Sequence, residues 1–197
     1  MDIRTRLLDA AARVYGETGY RGATTRRIAQ EAGVSEITLF RQFGSKESLI
    51  LEALTQVGRA AQPMLPDDPV DPHAELMQWC RQRFEILNGL RSLLRKVMGE
   101  VEEHPEIIEC AKTSPHHPAL LLERYVRRLQ ERGLASSDTP PKLAAALLIG
   151  AIFTEAMVRD MIPEIYPYSV DEAIEAYVRL FLRAIGATST ADQAAAR

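Results

Sequence analysis

The chain has 197 residues, of which 46% are hydrophobic and 26% charged. At near one and a third times the roughly 150 residues of a typical domain, it is expected to form one or two compact units. Its composition excludes a wholly disordered or collagen-like chain. The net charge of −3 does not point to a nucleic-acid binder, but the charge is unevenly spread. Residues 1–50 carry eight Lys/Arg against six Asp/Glu, and the remainder sixteen against twenty-one. A mildly basic head on an acidic body is compatible with a small nucleic-acid contact at one end.

Two cysteines, Cys80 and Cys110, make no disulfide scaffold and fit a reducing cytosol, so a cytoplasmic location is expected. The longest apolar run, Leu143 to Phe153, has eleven residues, too short for a bilayer span. Asp2, Arg4, Arg6 and Asp9 leave no apolar signal-peptide core at the N-terminus.

The apolar spacing is helical almost throughout. Ile3, Leu7, Ala10, Ala11, Val14 and Tyr15 fall on one helix face, bracketed by Gly16, Gly19 and Gly22. Leu49, Ile50, Ala53, Leu54 and Val57 form a second stripe after Ser45, a plausible N-cap. Pro63, Pro66, Pro69 and Pro72 forbid a helix and read as the boundary between head and body. The body resumes with Leu76, Trp79, Cys80, Phe84 and Leu87, then Leu90, Leu93, Leu94, Val97, Met98 and Val101. Pro105, Pro115 and Pro118 interrupt it. Leu121, Leu122, Tyr125 and Leu129 give another stripe, ended by Gly133. Pro140-Pro141 opens a helix to about Arg159, apolar on nearly every side, and Pro163 and Pro167 break it. Asp171 sits near the start of the last helix, whose stripe is Ile174, Tyr177, Val178, Phe181, Leu182 and Ile185. No sustained alternation of period two is present, so no sheet is expected.

The informative stretch is Thr24 to Lys46. Thr24 or Thr25 can cap a short helix whose Ile28, Ala29 and Ala32 face inward. Gly33 can end it in the left-handed region, Val34 plugs the core, and Ser35 can cap a second short helix. On that helix Leu39 and Phe43 point inward, while Glu36, Ile37, Thr38, Arg41 and Gln42 point elsewhere. Phe40 is expected in the core with Phe43. Two short helices joined by a glycine-containing turn make a helix-turn-helix. Its second helix belongs in the major groove. There Arg41 suits guanine and Gln42 adenine. Glu36 would be repelled by phosphates unless it accepts from a cytosine N4, and Ile37 can touch a thymine methyl. Thr25, at a helix N-terminus, suits a phosphate, as does Lys46.

Residues 6–50 resemble the tetracycline-repressor (TetR) family of bacterial transcriptional regulators. The resemblance rests on Ala10-Ala11, Gly19-Tyr20, Thr24-Thr25, Ile28-Ala29, Ala32-Gly33-Val34-Ser35, Thr38-Leu39-Phe40, Phe43 and Ser45-Lys46-Glu47. Beyond it, the chain is similar to the family only in helical pattern and length. The resemblance implies an all-α homodimer, with an N-terminal three-helix helix-turn-helix head and a C-terminal helical-bundle body that holds an effector pocket. It sets a DNA-binding domain at 1–46, a ligand-binding and dimerisation domain at 47–186, and a flexible tail at 187–197. Arg26 matches a family position that often reaches a base, and Phe40 stands where tyrosine is commonest. The expected DNA contacts are therefore Thr25, Arg26, Glu36, Ile37, Thr38, Phe40, Arg41, Gln42 and Lys46.

For the body, a helix apolar all round is best buried against a second copy. A four-helix dimer interface is expected from residues 141–160 and 171–185, through Leu148, Ile152, Glu155, Tyr177 and Phe181. Candidate walls for an apolar or aromatic small-molecule effector are Trp79, Phe84, Met98, Tyr125, Phe153 and Met157, with Glu102, His104 or His117 as polar anchors. His73, His104, His116 and His117 form no i, i+4 pair and the cysteines no Cys-x-x-Cys, so no metal or cofactor is expected. No phosphate loop, nucleophile elbow or His-Glu-x-x-His is present, which leaves His104-Pro-Glu106 as poor grounds for an enzyme. The function these signs imply is a ligand-responsive transcriptional regulator, more a repressor than an activator, on a palindromic operator. The alternatives are a constitutive or architectural DNA-binding factor and, less favoured, a helical enzyme.

Overall fold

The structure, a computed structural model, describes residues 2–59, 63–105 and 117–187. Cys110, His116, Glu106 and all but the first residue of the expected tail lie outside the described residues. Among the described residues every regular element is helical, as the spacing predicts. The helices are α1 (Ile3–Gly22), α2 (Thr25–Glu31), α3 (Glu36–Phe43), α4 (Lys46–Arg59), α5 (Pro72–Gly89), α6 (Arg91–Glu100), α7 (Pro118–Glu131), α8 (Pro141–Val158) and α9 (Val170–Ala184), with a 3-10 turn at Pro163–Ile165.

The chain forms two compact units. One is Met1–Ala61 with Gly89–Ser114, the other Gln62–Asn88 with Pro115–Arg197. Packing therefore groups α4 and α6 with the three N-terminal helices, a division different from a line at residue 46.

In the first unit α1 is the central post, with α2, α4 and α6 packed against it. Leu7, Ala10, Ala11, Val14 and Tyr15 of its inner face are buried with Ile28, Ala29, Leu39, Leu49, Ile50 and Leu93. Burying each Leu or Ile contributes about 1.5–3 kcal/mol. Helical dihedrals fail inside α1 at Gly19, where φ is +71°. The freed N–H of Tyr20 donates to the Glu100 carboxylate of α6 at 2.9 and 3.1 Å, and the Tyr15 hydroxyl donates to the same carboxylate at 2.5 Å. Burial and that neighbouring carboxylate push the Tyr15 phenol pKa well up.

In the second unit α8 packs on α7 and α9. By length and composition α8 is apolar enough to cross a bilayer, with a mean hydropathy of 1.6. Its inner face nonetheless lies against protein, through Ala144, Ala145, Leu148, Ile152 and Ala156. The core adds Trp79, Cys80 and Phe84 of α5, Leu122, Tyr125 and Leu129 of α7, and Val178 and Phe181 of α9. Polar ties join α5 to its neighbours. The Tyr125 hydroxyl donates to Glu75 at 2.5 Å, and Arg81 pairs with Asp171 at 2.9 Å. The cap of α9 is Ser169, which forms a capping box with Glu172 two residues before the acidic start expected at Asp171.

Candidate nucleic-acid interface

The α2–turn–α3 unit is built by local chemistry. The Thr24 hydroxyl accepts from the Arg27 N–H at 3.2 Å and so caps α2. Gly33 has φ +64°, a conformation that costs an L side chain about 1–2 kcal/mol. It lets the Val34 N–H close on the Ala29 carbonyl at 2.9 Å. Ser35 then caps α3, its hydroxyl accepting from the Thr38 N–H at 3.2 Å.

Two arginines of α1 hold the carbonyl ends of these short helices. Arg6 donates through Nη2 to Ala32 O and, at 3.1 Å, to Gly33 O. Arg4 donates through Nη1 to Gln42 O at 3.2 Å, pairs with Glu52 of α4 at 2.6 Å, and lies 4.5 Å from the Phe43 ring centroid. A cation at a helix C-terminus also opposes its partial negative charge. Neither arginine is legible as part of this site from sequence, where they show as a pair of cations two apart in the first turn of a helix.

The outward face of α3 is exposed. Ile37 is 79% exposed and Phe40 47%, and Arg41 and Gln42 are exposed beside them. Leu39 and Phe43 are buried, as four-residue spacing requires. Phe40 does not join them in the core, because one helical step from Leu39 turns it about 100° away. Thr38 is half-buried, with its hydroxyl 3.0 Å from that of Ser35. On α2, Arg26 is exposed, and among the described residues neither it nor Arg41 has an ion-pair partner. Thr25 and Glu36 meet each other, the Thr25 hydroxyl donating to Glu36 Oε2 at 2.9 Å. Lys46 is turned inward: Nζ donates to the Tyr20 carbonyl at 2.5 Å and sits 4.0 Å from the Tyr20 ring centroid.

The other candidate sets are not each brought together. Trp79, Phe84, Tyr125 and Met157 are buried in the second unit, and Phe153 is half-buried there. Met98 and Glu102 are exposed in the first unit. The indole N–H of Trp79 already donates to Pro63 O at 3.0 Å. His117 caps α7, its Nδ1 accepting from the Ala119 N–H at 3.2 Å, and His104 stacks on Tyr20. An open cleft of about 990 Å³ lies in the first unit between α1 and α6, with Ala12, Gly16, Leu90 and Leu93 among its walls, and none of the nine effector candidates lines it.

Of the expected interface residues, Leu148, Ile152, Glu155 and Phe181 are already buried within one chain, and Tyr177 is half-buried. Glu155 accepts from Arg159 Nε at 2.6 Å and from the Tyr177 hydroxyl at 2.8 Å. The large apolar side chains that these helices leave exposed are Leu143 (67%), Leu147 (63%) and Leu180 (60%).

A capped, glycine-turned helix pair with an exposed second helix defines a helix-turn-helix DNA-binding protein. Residues 7–53 match the model of bacterial regulatory proteins of the tetR family, and residues 74–187 match that of the AefR-like transcriptional repressor C-terminal domain. The chain belongs to the TetR family of transcriptional regulators. It is 29% identical over 129 residues to the helix-turn-helix-type regulator YvkB of Bacillus subtilis (strain 168), which covers 66% of this chain and 68% of that one. A TetR-family regulator from Mesorhizobium loti MAFF303099 superposes with a TM-score of 0.76 at 23% identity, covering 93% of this chain and 96% of the other. The regulator FadR from Bacillus subtilis, solved with stearoyl-CoA, gives a TM-score of 0.68 at 20% identity, with 90% and 96% covered.

Proposed function

We propose that this chain is a ligand-responsive repressor that binds a palindromic operator as a homodimer and is released by a small apolar or aromatic effector. The observation that carries the DNA-binding half is the exposed row Ile37, Arg41 and Gln42 on a helix whose other side is locked into the core. Recognition helices of this kind lie in the major groove with their outward side chains toward the bases. Arg26, Ile37, Arg41 and Gln42 reach base edges, and Thr25, Thr38 and Phe40 border the backbone. Lys46 spends one of its three N–H donors on the Tyr20 carbonyl and offers the others to a phosphate.

The homodimer reading is supported by Leu143, Leu147 and Leu180, large apolar side chains left in water on α8 and α9. Leu148, Ile152 and Phe181 are buried on the same two helices. Two-fold pairing would present two heads to half-sites about 34–36 Å apart. The effector reading is supported by the match to a repressor C-terminal domain and by the fold shared with a regulator solved with an acyl-CoA. An effector that favours a different head spacing weakens operator binding through that coupling.

The test is binding of the purified chain to inverted repeats in the DNA upstream of its own gene, with and without stearoyl-CoA as first probe. Tight, repeat-dependent binding that the probe relieves supports all three parts. Binding that no apolar probe relieves returns the constitutive factor, and turnover of a small molecule without DNA binding returns the enzyme.

A further inference from the structure

Resting on the DNA-binding reading above, we propose that Glu36 sets operator sequence, its carboxylate accepting a hydrogen bond from the exocyclic amine of a cytosine. Glu36 is the first residue of α3, the end that meets base edges in a helix-turn-helix. One of its oxygens is fixed, since Oε2 accepts from the Thr25 hydroxyl at 2.9 Å. Among the described residues no donor meets Oε1. The carboxylate is thus tethered to the neighbouring helix rather than waving in solvent, with one oxygen open.

A carboxylate only accepts hydrogen bonds, and that narrows its partner. Guanine and thymine present acceptors in the major groove, which repel it. Adenine offers its N6 amine but sets the N7 acceptor beside it. Cytosine's own major-groove edge offers the N4 amine and no acceptor, so it is the base that a lone carboxylate oxygen fits. The cost of bringing a negative charge near phosphates is opposed by Arg26 and Arg41, exposed cations on the same two helices without ion-pair partners among the described residues. Thr25 is then a positioning residue, holding the acceptor where a base can meet it.

The experiment selects duplexes from a randomised pool with the full-length chain and compares it with Glu36→Gln and Thr25→Val. Circular dichroism of each variant serves as the folding check. The unmodified chain should enrich a cytosine at one position in each half-site, preferred about tenfold over other bases. Glu36→Gln, which both donates and accepts, should lose that preference and admit adenine at the same position, with the other positions unchanged. Thr25→Val should weaken the cytosine preference several-fold without admitting adenine. A cytosine that survives Glu36→Gln at full strength, or an enriched site with no cytosine dependent on residue 36, overturns the assignment while leaving the regulator reading intact. A pool from which the unmodified chain enriches nothing overturns both.

Discussion

Replacing Gly33 by alanine tests the bend on which the interface depends. Two costs follow from the structure. Holding an L side chain at φ +64° costs about 1–2 kcal/mol. A Cβ built there also meets Arg6 Nη2 at 2.7 Å, and Arg6 must swing away from the Ala32 and Gly33 carbonyls. Because that guanidinium is a flexible tip, the steric part relaxes and the loss is of its hydrogen bonds, about 1 kcal/mol. Gly33→Ala should therefore destabilise by about 2–3 kcal/mol in total, which for a chain of this length lowers the melting temperature by roughly 4–12 °C. Thermal and urea unfolding followed by circular dichroism measure it. In an Arg6→Ala background the same substitution should cost only the backbone share, a coupling of about 1 kcal/mol. Gly33→Asn should be milder than Gly33→Ala, since asparagine tolerates the left-handed region. A Gly33→Ala protein within about 0.5 kcal/mol of its parent would refute the reasoning.

Arg4→Ala should cost about 1 kcal/mol, and less in high salt, because the Glu52 pair is about two-fifths exposed and screened. Unfolding at two ionic strengths reads that difference, and a loss independent of salt would place the contribution in packing over Phe43. Burial pushes the Cys80 thiol up to about 12, so in a Cys110→Ser background a thiol reagent at pH 8 should label the native chain only as fast as it opens. Labelling at the rate of a free thiol would contradict the burial. Leu147→Glu should turn the proposed dimer into monomers in sedimentation without changing the helical content, since the side chain is mostly in water within one chain. A dimer that survives it places the contact elsewhere.

The helix-turn-helix was legible because it is local. Thr24, Gly33 and Ser35 act on neighbours within a few positions, and the four-residue spacing of Leu39 and Phe43 puts both on one buried face. What the sequence does not display is the contact a residue makes with distant chain. Lys46 reads as a phosphate ligand, and nothing in its local pattern shows that the Tyr20 carbonyl, twenty-six residues earlier, also takes one of its donors. An apolar stripe says that a face is covered, not by what. The regular stripe of α8 and α9 picked out Leu148, Ile152 and Phe181, which their own chain covers, while the leftover Leu143, Leu147 and Leu180 face water. The aromatic and Met positions offered as effector walls are also placed by distant packing. Four of them fill the interior of the second unit, and Met98 with Glu102 belongs to the other unit.

The Glu100 carboxylate also bears on the order in which the head can be made. Its donors are residues 15 and 20, so the lock closes only when a chain eighty residues downstream has been synthesised. Leu93, which fills the same core, arrives equally late. A fragment ending after α4 would carry every side chain proposed to touch DNA and yet leave the Tyr20 amide and part of its apolar floor uncovered. The DNA-facing portion is in that sense not self-sufficient. Such long-range closure is slow to form and leaves the early chain waiting for its final support.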